Sequence, residues 1–147
     1  MALEYHRSYN YAESSEDKKG GNEIRLTLQG ILFNFIDRTT IQHRYRLEQR
    51  WIENGDRQRA RYRVQVTIPI KSKSVQKGIF YINTSNEFMV DIGPDLGLSQ
   101  NRLYVAPGYQ FCNTRNLQIG YMFISKPGVN FSRLQFFITQ KLKLYKE

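Results

Sequence analysis

Between Ile41 and Ile70 the chain alternates polar and apolar residues with period two, interrupted only at Glu53-Asn54-Gly55-Asp56. On the N-terminal side one set reads Ile41, His43, Tyr45, Leu47, Gln49 and Trp51, the other Gln42, Arg44, Arg46, Glu48 and Arg50. Beyond the interruption Arg57, Arg59, Arg61, Arg63, Gln65 and Thr67 alternate with Ala60, Tyr62, Val64, Val66, Ile68 and Ile70. Such a pattern fits two-faced antiparallel strands and no helix. Asn54-Gly55 is a strong hairpin signal, because both residues accept positive φ. A two-residue turn there predicts Leu47 opposite Tyr62, Tyr45 opposite Val64, Glu48 opposite Arg61, Arg46 opposite Arg63 and Arg50 opposite Arg59. Like faces meet along that ladder, and a one-residue slip would mix them.

The same reading predicts strands near 3–13, 22–36, 41–51, 57–70, 77–91, 100–112, 116–126 and 130–145, with a bulge near Gly30 where the phase changes. Links rich in Gly, Pro, Asn, Asp and Ser separate them. The expected fold is all-β: an antiparallel, up-and-down, closed β-barrel of about eight strands, since closure removes exposed edges. Residues 1–147 form a single domain, of which 1–21 supply the first strand and the long polar loop SSEDKKGG.

Two faces exist, and either could meet solvent. In a lipocalin-like barrel the apolar set fills the middle; in a membrane barrel it faces lipid. Three features favour the transmembrane version. The apolar face is large and aromatic, with Tyr45, Trp51, Phe80, Tyr109, Tyr121 and Phe136 interleaved with aliphatic residues. Strands of about 11 residues, tilted by ~40°, reach roughly 27 Å, the height of such an apolar band. The polar face carries arginine and amides rather than the lysine and glutamate usual on solvated strands. No apolar run approaches the ~18 residues of a spanning helix. The first twenty residues hold no apolar h-region, so no secretory leader is legible in them.

The candidate site is the charged lumen: Arg25, Arg44, Arg46, Arg50, Arg59, Arg61, Arg63 and Arg102, with Glu23, Glu48 and Glu87 as counter-charges. An eight-stranded barrel is filled by its own side chains, so no open pore is expected. Like-charge cross-strand pairs need an anion between them, and Glu48 is positioned to serve. The surplus of cations calls for water or bound anions. A structural plug is one reading; a site for lipopolysaccharide phosphates or other anions is the sharper one.

Other chemistry finds little material. His6 and Ser8 share a strand face and His43 lies on the apolar face, without catalytic spacing; Cys112 is the only cysteine. No catalytic, metal or cofactor site is predicted, and the chain is expected not to be an enzyme. The rival function is a soluble basic β-barrel binding single-stranded nucleic acid or another anion, suggested by a net charge of +9 and 14% aromatics. A stacking platform needs aromatics and cations on one surface, whereas here they separate onto two. Nucleic acid is therefore not an expected partner, and the lipid bilayer is.

HRYRLEQRW (43–51), RARYRVQVTIPI (59–70), NEF (86–88), QNRLYVAPGYQF (100–111) and LQIGYM (117–122) carry a likeness. In order and spacing they resemble the C-terminal part of a bacterial outer-membrane β-barrel family, a domain of unknown function frequent in Gram-negative bacteria and above all in Bacteroidetes. The resemblance spans roughly residues 22–142. It implies an outer-membrane location and no known catalytic activity. Members are generally longer and begin with a signal peptide, and QKLKLYKE lacks the terminal aromatic common in such proteins.

Overall fold

A computed structural model describes residues 2–8, 23–52, 55–93 and 96–140; for 2–8, 23–25 and Ile52 only the backbone is described. The outer part of the expected first strand, the loop Ser14 to Gly21, Glu53-Asn54 and residues 141–147 lie outside that set. The strands are β1 (Ala2–Ser8), β2 (Glu23–Ile36), β3 (Thr39–Ile52), β4 (Gly55–Pro69), β5 (Ile79–Ile92), β6 (Gly97–Cys112), β7 (Arg115–Lys126) and β8 (Val129–Gln140). Each pairs antiparallel with its neighbour in chain order, so seven long strands form one up-and-down sheet with the shorter β1 beside β2.

The sheet is strongly curled. Strands two apart would lie about 9.5 Å from one another on a flat sheet. Here β4 and β8, four strands apart, wall one cavity of about 260 Å³. The concave face is the polar one. Glu48 is 3% exposed and Glu87 6%, whereas Leu134 and Ile138 on the convex face are 67% and 83% exposed. Period-two alternation has thus produced a sheet with charges inside and hydrocarbon outside.

Three expectations need correction. The sheet is not closed: among the described residues β8 pairs with β7 alone and makes no contact with β1. Alternation and short links dictate which strands are neighbours; closure depends on accumulated curvature and stagger, which no local pattern encodes. The β3–β4 register differs by two residues. Ile52 pairs with Gly55, so Leu47 faces Ala60, Tyr45 faces Tyr62, Glu48 faces Arg59, Arg46 faces Arg61, Arg44 faces Arg63 and Arg50 faces Arg57. Gly55 takes φ 117° as the first residue of β4 rather than sitting inside the turn. Moving the turn by one residue slides the pairing by two, which preserves both faces and so leaves no trace in the alternation.

The bulge is also elsewhere. β2 pairs with β3 without interruption through Gly30, and the apolar switch after it reflects Ile31, Phe33 and Phe35 occupying the polar side of the strand near the β2–β3 turn. β1 reaches only as far as Gln29 along β2. Register shifts fall instead beside Met89 and Val90, where Ser99 is the extra residue, and between Gln110 and Cys112.

Candidate functional site

The concave surface of β3, β4 and β5 holds a charge cluster built on two buried carboxylates. Arg61 donates through Nη1 to Glu48 Oε1 at 2.8 Å and through Nη2 to both oxygens of Glu87 at 3.1 Å. Arg44 Nη2 donates to Glu87 Oε1 at 3.2 Å. Arg46 stands 3.8 Å from Glu48 and gives Nε and Nη2 to Gln29 Oε1 at 3.1 and 2.6 Å. Arg59 leaves Glu48, which it directly opposes, and donates through Nε to Asp91 Oδ1 at 2.6 Å. Charge-assisted bonds of this kind are strong once buried, and Glu87 accepts three of them, from Arg61 twice and from Arg44.

Arg59 with Asp91 and Arg46 with Gln29 are directly opposed pairs, whereas the two glutamates take diagonal partners. Arg63 lies directly opposite Glu87 in the ladder, yet Glu87 turns to Arg61 and Arg44. The right-handed twist of a strongly curled sheet brings diagonal neighbours together at long side chains. Arg63 is left with no carboxylate partner among the described residues, and its Nε is buried without a protein acceptor. Arg102, also opposite Glu87, stays 3.8 Å from it and meets Gln100 only at 3.4 Å; its Nε has no protein acceptor either.

Beyond β5 the concave face carries mainly amides and tyrosines, beside Arg102 and Arg133. Tyr81, Asn83 and Gln118 form a chain in which Gln118 donates to the Tyr81 hydroxyl at 2.9 Å and Asn83 donates to Gln118 at 3.4 Å. The Tyr81 ring lies against Gly108, and the Tyr104 ring against Gly120, so closely that a Cβ on either glycine would overlap the ring. Laid flat on the sheet, the rings replace the missing side chains and leave the space above them open. That space is a cavity of about 260 Å³ between β4 and β8, lined by Arg63, Arg102, Tyr104, Gln118, Gln135 and Phe137 among others.

Of the expected lumen residues, the fold brings Arg44, Arg46, Glu48, Arg61 and Glu87 into one bonded cluster, pairs Arg59 with Asp91 beside it and puts Arg63 and Arg102 at the cavity wall. Arg50 stands on the same face opposite Arg57. Arg25 lies opposite Arg50 on β2, with its side chain outside the described set, as is that of Glu23. Sequence reasoning missed Asp91, Tyr104 and the amides of β5, β7 and β8. Asp91 shares the phase of Glu87 two places on, and Gln118 and Gln135 share the phase of Gly120 and Arg133, so period two alone carried the signal.

On the convex side, His43 Nδ1 and the Tyr62 hydroxyl lie 2.8 Å apart, and Tyr45 packs on Tyr62 with centroids at 5.0 Å. Phe80, Tyr109 and Phe111 make a second aromatic cluster at one end of the sheet. His43 is thus part of an outer aromatic patch. The Cys112 thiol and the Thr114 hydroxyl lie 3.3 Å apart.

The model of a protein family described as a protein of unknown function, DUF2490, matches residues 2–135. The chain belongs to that family. The match to DUF2490 begins before the motifs that carried the resemblance, taking in β1, and ends within β8. No curated protein and no solved structure matches the chain.

Proposed function

We propose that this DUF2490 chain is a bacterial outer-membrane β-sheet protein with a non-enzymatic structural or binding role. Its convex face meets lipid, and its concave face forms an arginine- and glutamate-filled interior. The supporting observation is the inverted distribution of side chains. Glu48 and Glu87 are buried while Tyr45, Leu47, Leu103, Tyr121, Leu134 and Phe136 stand exposed. In water so large a continuous apolar surface would drive association; against hydrocarbon it is the low-energy arrangement. The reading makes a demand of its own. Backbone groups along the outer edge of β8 cannot face lipid unpaired, at a cost of several kcal/mol each, so a strand must cover that edge.

Extraction tests the proposal. The protein should need detergent to leave the membrane fraction, and should migrate faster unheated than boiled on a denaturing gel. A monodisperse protein in plain buffer would sink it. Steeply salt-dependent binding of oligonucleotides in that buffer would favour a soluble nucleic-acid binder instead.

A further inference from the structure

The interior divides its charges unevenly. The cluster around Glu48 and Glu87 engages Arg44, Arg46 and Arg61, and Asp91 takes Arg59. Arg63 and Arg102 line the cavity, Arg63 with no ion pair among the described residues and Arg102 at 3.8 Å from Glu87, whose carboxylate also borders the cavity but is bonded to Arg61 and Arg44. Other atoms on the same wall lack protein partners too: the Tyr104 hydroxyl, Gln135 Oε1 and Asn83 Oδ1, with Nε of both arginines. Buried polar atoms are ordinarily satisfied, and the residues of this wall carry five that are not, the others among the described residues being on Arg61, Asn86, Asn101 and Asn116.

The lining specifies what the cavity can hold. Two guanidiniums fit a carboxylate or phosphate in bidentate fashion. Gln65, Gln118, Gln135, Ser85 and Thr139 are neutral and offer donors and acceptors alike, the chemistry that recognises hydroxyls rather than further charge. Phe137 and Met122 give one apolar wall, on which the C–H face of a ring can rest. At ~30 Å³ per water molecule the volume equals about nine waters, the size of one monomeric ring. Gly120 keeps the volume open by letting the Tyr104 ring lie against the sheet.

We propose that the cavity between β4 and β8 binds a small hydroxylated anion, a sugar acid or sugar phosphate, with its anionic group on Arg63 and Arg102 and its hydroxyls on the amides of β5, β7 and β8. This deepens the binding half of the function proposed above; it rests on the concave geometry and not on insertion into lipid.

Calorimetric titration of the full chain, in detergent or in whichever buffer keeps it folded, tests the site with glucuronate, glucose 6-phosphate, inorganic phosphate and glucose. Solubility is scored separately, so failure of the membrane reading leaves this test intact. Binding of either sugar anion, at least tenfold tighter than glucose and than phosphate, is the expected result, and which one binds identifies the anionic group. Arg63→Gln should weaken it at least tenfold with an unchanged circular-dichroism spectrum. Gln135→Leu should weaken the sugar anion while sparing phosphate. No binding of either sugar anion, phosphate binding as tightly as glucose 6-phosphate, or Arg63→Gln binding like the parent would overturn the proposal.

Discussion

The carboxylate cluster on β3–β5 and the cavity wall that runs from β4 to β8 share one alternation and one concave face, yet they end in different states. In the first, two carboxylates gather three guanidiniums into a bonded cluster; in the second, two guanidiniums face amides, tyrosines and open space. Acid supply is what differs. Glu48, Glu87 and Asp91 lie on β3 and β5, and β7 and β8 bring none to the concave face. A buried cation is stabilised only where a counter-charge sits within reach. The closed cluster therefore reads as scaffold, and the unfilled wall is where a binding role would reside.

The contrast can be broken most sharply at its hub. Glu87→Gln strips the carboxylate from Arg44 and Arg61 together and should destabilise by about 3–5 kcal/mol, the usual cost of removing one partner from a buried pair. Urea titration in detergent reads this, and a loss under about 1 kcal/mol would show that Glu87 is not what holds that cluster together.

Next in size is a test of inside against outside. Leu47 stands between Arg46 and Glu48 on the opposite face of β3, half exposed. Leu47→Arg should cost about 2–4 kcal/mol in lipid if the residue lies near the bilayer midplane. No change in folding free energy measured in vesicles would argue that this face does not meet hydrocarbon.

Gly120→Ala addresses the cavity wall. The new Cβ must displace the Tyr104 ring, which also meets Phe137 edge-on at 6.3 Å, and overpacking of this kind costs about 1–3 kcal/mol. Near-ultraviolet circular dichroism should change with it; an unaltered tyrosine signal would mean that the ring is not seated on the glycine.

The smallest effect is the most telling. Arg63→Gln removes a cation that has no ion pair among the described residues, so stability should stay within about 1 kcal/mol of the parent or rise. Arg61→Gln, which loses contacts to both Glu48 and Glu87, should cost clearly more. Equal losses from the two substitutions, under the same urea titration, would erase the distinction between the cluster and the cavity wall.

Much of this was legible beforehand. Strand boundaries came within a few residues from alternation and turn chemistry, because a half-buried strand must present its two faces with period two. The membership of the polar face, from Arg44 to Arg102, followed from the same parity. The β3–β4 register did not, because a slip of two residues conserves parity and Gly55 could serve the reversal from either side. The missed amides fell to a related cause: Gln118 and Gln135 have the right phase, but nothing local distinguishes an amide that borders a cavity from one in water.

Residue order thus dictated the strands, their sequential neighbours and which side chains share a face, since each depends only on backbone geometry repeating every second residue. Curvature decided the rest. It buried the charged face and left the apolar one outside, set Glu87 against Arg61 and Arg44 rather than the directly opposing Arg63, and left β8 without β1 beside it. These outcomes depend on how twist accumulates over many strands, a property of the assembled sheet that no single segment contains.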